Sequence, residues 1–282
     1  MFKICKHQLQ MAFSSPRIYI SIFFGSVMQI VSAMPLLDFS EKIQKPLCIW
    51  EGPVYFCCDT YIIAASFLGI IIMVSDIPFS SENETYTLLR TSRKKWVAGK
   101  ILYLLCVCSL YYLCILLVGM IFIAENAYVG NFWSEPVYYL TKRADWGDIS
   151  LYFPYSHIML LSPFKAVTVG FLLNTGYGFL MSLLLFLFNL KLPRSLGYFG
   201  TMMIHVAGYI LTVLFLSTKA VKYSLFGNSL LMYHEIGSFY GNHFFKLYES
   251  VLLYAISAVI VALFIFRAVK KYDFRITVGT RQ

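Results

Sequence analysis

The 282 residues are 59% apolar and only 13% charged, with a mean hydropathy of +0.69 and a formal charge of +9. Soluble domains usually carry about 25% charged residues, and a soluble core cannot absorb this much apolar surface, so the bulk solvent must be lipid. The basic residues flank apolar runs and do not line one polar face, which excludes nucleic acid as the partner.

Residues 1–17 are polar and end in the break at Pro16; no cleavable signal peptide is expected, because the first apolar run is long enough to span. A spanning helix needs about 20 mostly apolar residues. Six stretches meet this: Ile18–Leu37, Cys57–Ile77, Val97–Ala124, Ala166–Asn189, Leu196–Ser217 and Val251–Arg267. The last is the shortest, and Tyr248 or the preceding loop could extend it. Backbone groups in lipid have no water partner, and the alternation of a closed barrel is missing, so these are read as helices. The expected fold is an all-α integral membrane protein, one transmembrane domain over residues 1–282.

Direction follows from Lys and Arg. With both termini on one side, that side holds 15 of the 23 basic residues, in short segments beside span ends. The positive-inside bias then makes both termini cytoplasmic. Ten of the 14 acidic residues fall on or near the other side. Cys48, Cys57 and Cys58 lie in or beside the first outer loop. A bridge from Cys48 to Cys57 or Cys58 is one option, although an odd cysteine count and Cys5 argue against a disulfide framework. Cys106, Cys108 and Cys114 read as small apolar fillers.

Between spans two and three runs Ser75–Lys100, SDIPFSSENETYTLLRTSRKKWVAGK, too polar for lipid but carrying helix signals at both ends. Ser81 and Glu84 have capping-box spacing. Glu82 and Glu84 place negative charge at the positive end of a helix dipole, and Arg90, Arg93, Lys94 and Lys95 place positive charge at the other. The segment predicts a short helix from Glu82 to Arg90 at the membrane surface.

The outer loops are long. Glu125–Lys165 contains Trp133 and Trp146. Thr218–Ser250 contains LFGNSLLMY and FYGNHFF, pieces too short to span. They read either as re-entrant or interfacial elements or as ordinary aromatic-rich loop.

Chemistry is sparse. His234-Glu235 lacks the second histidine of a HExxH zinc site. Asp59 and Asp76 stand at opposite ends of one span and cannot share a proton. No phosphate-cradling GxxxxGK[ST] loop occurs. Gln29, Asn174 and His205 are the deep polar residues; they could line a pathway or hold helices together by hydrogen bonds. For His205, a neutral ring bonded to a neighbouring helix is the expectation. Gly170, Gly176 and Gly178 would let a neighbouring helix approach closely.

The chain resembles the ABC-2 family, the membrane subunits of ABC exporters. The likeness rests on the opening FKICKHQLQMAFSSPR, the loop SENETYTLLRTSRKKWVAGK, six spans with both ends inside, and the tail FRAVKKYDF. It covers most of the chain in layout and about 25 residues in sequence. It implies that the loop between spans two and three is a coupling helix docking on an ATPase subunit, through Glu82, Glu84, Thr85, Tyr86, Leu88, Leu89, Arg90 and Arg93. The other reading is an interfacial helix whose leucines rest on lipid. The long loop between spans three and four departs from the family pattern. The resemblance further implies a permease without its own catalytic site, in a bacterial cell membrane, paired with a second permease. ATP and Mg would sit on the ATPase subunit. The aromatic-rich outer half suggests an amphipathic or hydrophobic cargo such as a peptide, antibiotic or lipid. A reading of another class is a non-transporting membrane sensor or immunity protein that binds a ligand through its outer loops.

Overall fold

The computed structural model describes residues 2–78, 91–142, 156–214, 219–236 and 245–271. Among them the chain is mostly helical: α1 (Phe2–Phe13), α2 (Pro16–Ile43), α3 (Glu51–Cys58), α4 (Thr60–Met73), α5 (Arg93–Ile123), α6 (Glu135–Lys142), α7 (Pro163–Lys191), α8 (Arg194–Leu214) and α9 (Leu247–Lys271). Two short parallel pairs, β1 (Leu47–Cys48) with β2 (Ala127–Tyr128) and β3 (His234–Glu235) with β4 (Phe245–Lys246), tie loops together.

Five helices, α2, α5, α7, α8 and α9, are long and apolar enough to cross a membrane. The sixth expected span differs from expectation. Cys57–Ile77 is not one continuous helix, because α3 and α4 meet at 89°. The break lies at Asp59, whose carboxylate accepts from the backbone N–H groups of Tyr61 and Ile62, both at 2.9 Å. These are two of the donors that the first turn of a helix leaves without partners. The chain therefore starts a new helix at Thr60 although the hydropathy runs on through the break. Counting the bent pair as one crossing gives six spans.

At the other helix starts, Pro occupies the first position of both α2 and α7, where its missing N–H costs nothing. α2 ends at Gln44, in the left-handed region at φ 57°, with its N–H turned back to Glu41 and Ser40. The short last span is extended at both ends, to Leu247 and Lys271.

The bundle is built around α7. Of its apolar window 67% is buried inside the protein, against 17% for α9; α9 thus presents most of its surface to the surroundings. Close approach to α7 depends on glycine. A Cβ at Gly170 would stand 2.6 Å from Cys57 Sγ, and one at Gly178 would stand 2.6 Å from Ile70 Cδ1. α2, α4 and α5 are joined by buried bonds to backbone carbonyls: Ser21 donates to Gly69 (2.7 Å) and Tyr111 to Ser66 (2.6 Å).

The start of α2, the turn after α4, the start of α5, the end of α7, the first turns of α8 and the end of α9 all meet at one end of the bundle. α1 lies at this end too, with Ile4, Cys5 and Gln8 buried. The opposite end is closed by a cap made of α3, α6, the β pairs and 3-10 turns. All seven cysteines are free thiols. The Cys48 bridge is not formed; its thiol lies 3.3 Å from the Gly130 carbonyl.

Candidate coupling site

Glu82, Glu84, Thr85, Tyr86, Leu88, Leu89 and Arg90 lie outside the described residues. Both chain ends that hold this segment are described, and each is tied to helices distant in sequence. On the incoming side, Asp76 pairs with Arg17 at the start of α2, and the same guanidinium donates to Ser75 Oγ at 3.3 Å. The Tyr198 hydroxyl of α8 donates to the Ser75 carbonyl. The Asn189 amide of α7 donates to the Ile77 carbonyl at 2.7 Å. On the outgoing side, Arg93 donates to the Lys270 and Val269 carbonyls of α9 at 2.8 and 3.3 Å. These are terminal helix carbonyls with no intrahelical donor, and a guanidinium bonds them with charge assistance. Arg93 is thus a strut between α5 and α9, a role that its place in the loop did not reveal.

Two turns further along α5, Lys100 is fully buried. Its ammonium donates to Gln8 Oε1 of α1 at 2.8 Å and lies 5.8 Å from the Trp96 ring centroid. A buried ammonium must be bonded to be tolerated, so α1 is bound to α5 and does not float as a separate surface helix. Between α1 and the turn after α4 is a hollow of about 100 Å³ bordered by Gln8, Arg17 and Asp76.

The three deep polar residues are not brought together: no hydrogen bond joins any two of them. Gln29 donates to the Gly52 carbonyl at 3.2 Å. Asn174 donates to Gly170 in its own helix at 2.9 Å. His205 is bonded at both ring nitrogens, to the Tyr177 hydroxyl (2.6 Å) and the Ala64 carbonyl (3.2 Å), and stacks on Phe67 with centroids 4.2 Å apart. A carbonyl can only accept, so Nε2 carries the proton and Nδ1 accepts from Tyr177. The ring joins α4, α7 and α8.

The far end holds further polar residues, of which the sequence singled out only His234, and that as an incomplete metal motif. Glu51, fully buried at the start of α3, accepts from Cys48 N (2.8 Å), Ser134 N (2.6 Å) and Ser134 Oγ (2.7 Å). One carboxylate thus joins β1 to the start of α6, 83 positions away. The LFGNSLLMY piece forms 3-10 turns that pack into the bundle without crossing it. Phe226 meets His205 edge-on at 5.5 Å, and Tyr254 donates to the Leu225 carbonyl at 2.8 Å. Irregular backbone at this depth is tolerated because protein surrounds it. Beside it, the Ser250 hydroxyl donates to Asn228 Oδ1 (2.6 Å), and His234 contacts Ser250 Oγ with Nε2 (2.8 Å) and the Leu230 carbonyl with Nδ1 (3.0 Å). Both nitrogens of His234 therefore face acceptors, an arrangement that a second ring proton would complete. Burial opposes that charge and pushes the His234 pKa down to about 4. Burial dominates, because an uncompensated buried ion costs several kcal/mol and one more hydrogen bond returns about 1 kcal/mol. His157, also buried, is pushed down to about 4 for the same reason.

The chain matches no family model, no curated protein and no solved structure.

Proposed function

We propose that the chain is the transmembrane permease subunit of an ATP-driven exporter of the ABC-2 type. In this reading the end of the bundle that carries both termini faces the cytoplasm, and residues 82–93 engage an ATPase subunit that holds ATP and Mg. Two permease chains, identical or related, face each other and move an amphipathic or hydrophobic cargo by alternating access. One observation carries the reading. The two ends of the 79–90 segment are bonded to α2, α7, α8 and α9 through Arg17, Asn189, Tyr198 and Arg93. A displacement of that segment by a partner would be passed to four helices at once. This is the mechanical requirement for a ligand on one chain to shift the conformational equilibrium of another.

The test is the double change Tyr86→Ala with Leu89→Ala. Three-residue spacing puts both side chains on one helix face, and truncating buried anchors of this kind often costs about 2 kcal/mol or more. Co-purification of the ATPase in detergent should fall by about thirtyfold in affinity, with the helical content of the permease unchanged. Wild-type co-purification and wild-type substrate-stimulated hydrolysis would sink the coupling role.

A membrane sensor or immunity protein is the second reading, favoured by the closed, hydrogen-bonded cap at the far end. It predicts that no ATPase accompanies the chain from native membrane.

A further inference from the structure

A second cationic feature lies at the same end as the coupling segment; it shares with it only the Lys270 carbonyl that Arg93 bonds, and the Lys270 ammonium is not part of that tie. α7 ends at Lys191, and the last turns of α9 carry Arg267 and Lys270. These three cations border a hollow of about 330 Å³ between the two helix ends, with Phe264 on its wall. The Lys191 ammonium lies 6.0 Å from the Phe264 ring centroid. Among the described residues no carboxylate forms an ion pair with any of the three. Cations at helix C-termini complement the helix dipole, and that alone would explain one at each end. It does not explain an open hollow with three of them around it.

Running away from the hollow along α9, Ile256, Ile260 and Phe264 are 56%, 47% and 45% exposed. Their four-residue spacing sets them in one row on the helix. The row continues into the hollow, so a positive rim stands at the end of an exposed apolar track on a spanning helix. The matching ligand has a negative head and an apolar chain attached to it.

We propose that the hollow between the ends of α7 and α9 binds the headgroup of an anionic phospholipid, with its acyl chain along the Ile256–Ile260–Phe264 row. Basic pockets between spanning helices at the membrane surface suit anionic headgroups. A free anion would use the rim alone and leave the row without a role. The proposal rests on the membrane-spanning architecture and not on the exporter reading.

The experiment uses the full chain purified in a nonionic detergent, titrated with phosphatidylglycerol, phosphatidylcholine or inorganic phosphate. Bound lipid is read by native mass spectrometry, and the thermal unfolding midpoint is read in parallel. Phosphatidylglycerol should be retained and should raise the midpoint, and the other two should do neither. The triple variant Lys191→Gln, Arg267→Gln, Lys270→Gln should bind phosphatidylglycerol about a hundredfold more weakly, and Lys191→Gln alone about fivefold more weakly. Equal retention by wild type and either variant overturns the site. So does equal retention of phosphatidylcholine, or a midpoint shift with phosphate that matches the lipid. Asp273→Asn tests whether the chain's own tail fills the hollow: unchanged lipid binding supports the proposal, and binding that appears only in that variant overturns it. Disulfide crosslinking of Ile260→Cys between two copies that persists with added lipid would assign the row to a second chain instead.

Discussion

At one end of the bundle Glu51 gathers three hydrogen bonds from β1 and the start of α6, all buried. At the other, Arg17, Asn189, Tyr198 and Arg93 each come from a different helix, and their partners are residues beside the 79–90 segment or the last carbonyls of α9. The hub of the cap shares one acceptor among several donors and is shielded from solvent. The tied end spreads its bonds over several helices, and its ion pair is open, with side-chain exposures of 48% for Arg17 and 33% for Asp76. A buried polar hub fails as a unit when its centre is removed, because every partner is then left without water or a bond. The exposed struts, Arg17 to Asp76 and Arg93 to Lys270, fail one at a time and at small cost, because water replaces the lost partner, whereas the Asn189 bond is buried. The first arrangement suits an element that holds its shape. The second suits one that transmits a displacement.

The contrast is broken most directly at Glu51. Glu51→Ala leaves two backbone N–H groups and one hydroxyl buried without acceptors, an expected loss of about 3–5 kcal/mol. Thermal unfolding in detergent, with limited proteolysis of residues 129–162, should show a lowered midpoint and early cleavage of the cap. An unchanged midpoint and cleavage pattern would mean that the cap does not depend on its centre.

Acid probes the same end more gently. His157 and His234 have pKa values lowered to about 4, below the ordinary value of about 6.5 of an unfolded chain. The unfolded state therefore binds more protons between those values. Their contribution to stability is fully present above about pH 6.5 and is lost progressively as the pH falls towards 4. The expected loss is about 2 kcal/mol per histidine by pH 5. Unfolding midpoints of wild type and His234→Gln, measured from pH 7.5 to 4.5, should diverge at neutral pH and converge in acid. Parallel curves would show that His234 does not titrate in this window.

The smallest effect on stability is expected at the struts. Arg17→Gln breaks an exposed ion pair worth about 0–1 kcal/mol and should shift the unfolding midpoint little. In the exporter reading it should still lower transport per ATP hydrolysed, because one of the ties between the segment and the bundle is gone. A midpoint shift as large as that of Glu51→Ala would erase the distinction between the two ends.

How much of this was legible in the sequence varies by feature. The five long spans were readable within a few residues, because a bilayer selects for continuous apolar length whatever the neighbours. The break at Asp59 was not read, although Asp is a strong helix N-cap and stood inside the expected span; hydropathy averaging hides a single polar residue. Ser75–Lys100 was read as a surface element between spans. The structural use of Arg93 and Lys100 was not read, since their partners lie 177 and 92 positions away. His234 drew attention as a failed metal motif and proved to be a buried member of a hydrogen-bonded chain. Glu51 gave no signal beyond being an acidic residue in a loop.

The sequence by itself determined that the chain has five long helices apolar enough to cross a membrane, roughly where they lie, and which segments between them are polar. These follow from local composition, because transfer into hydrocarbon depends on each segment's own side chains and backbone. Only the tertiary structure decided that α3 turns away from α4, that α7 is the centre and α9 the exposed edge, and which polar groups meet. Those outcomes depend on how helices pack. A buried carboxylate or ammonium is admissible only where packing supplies its partners, and a hydrogen bond between residues scores of positions apart leaves no mark in either local segment.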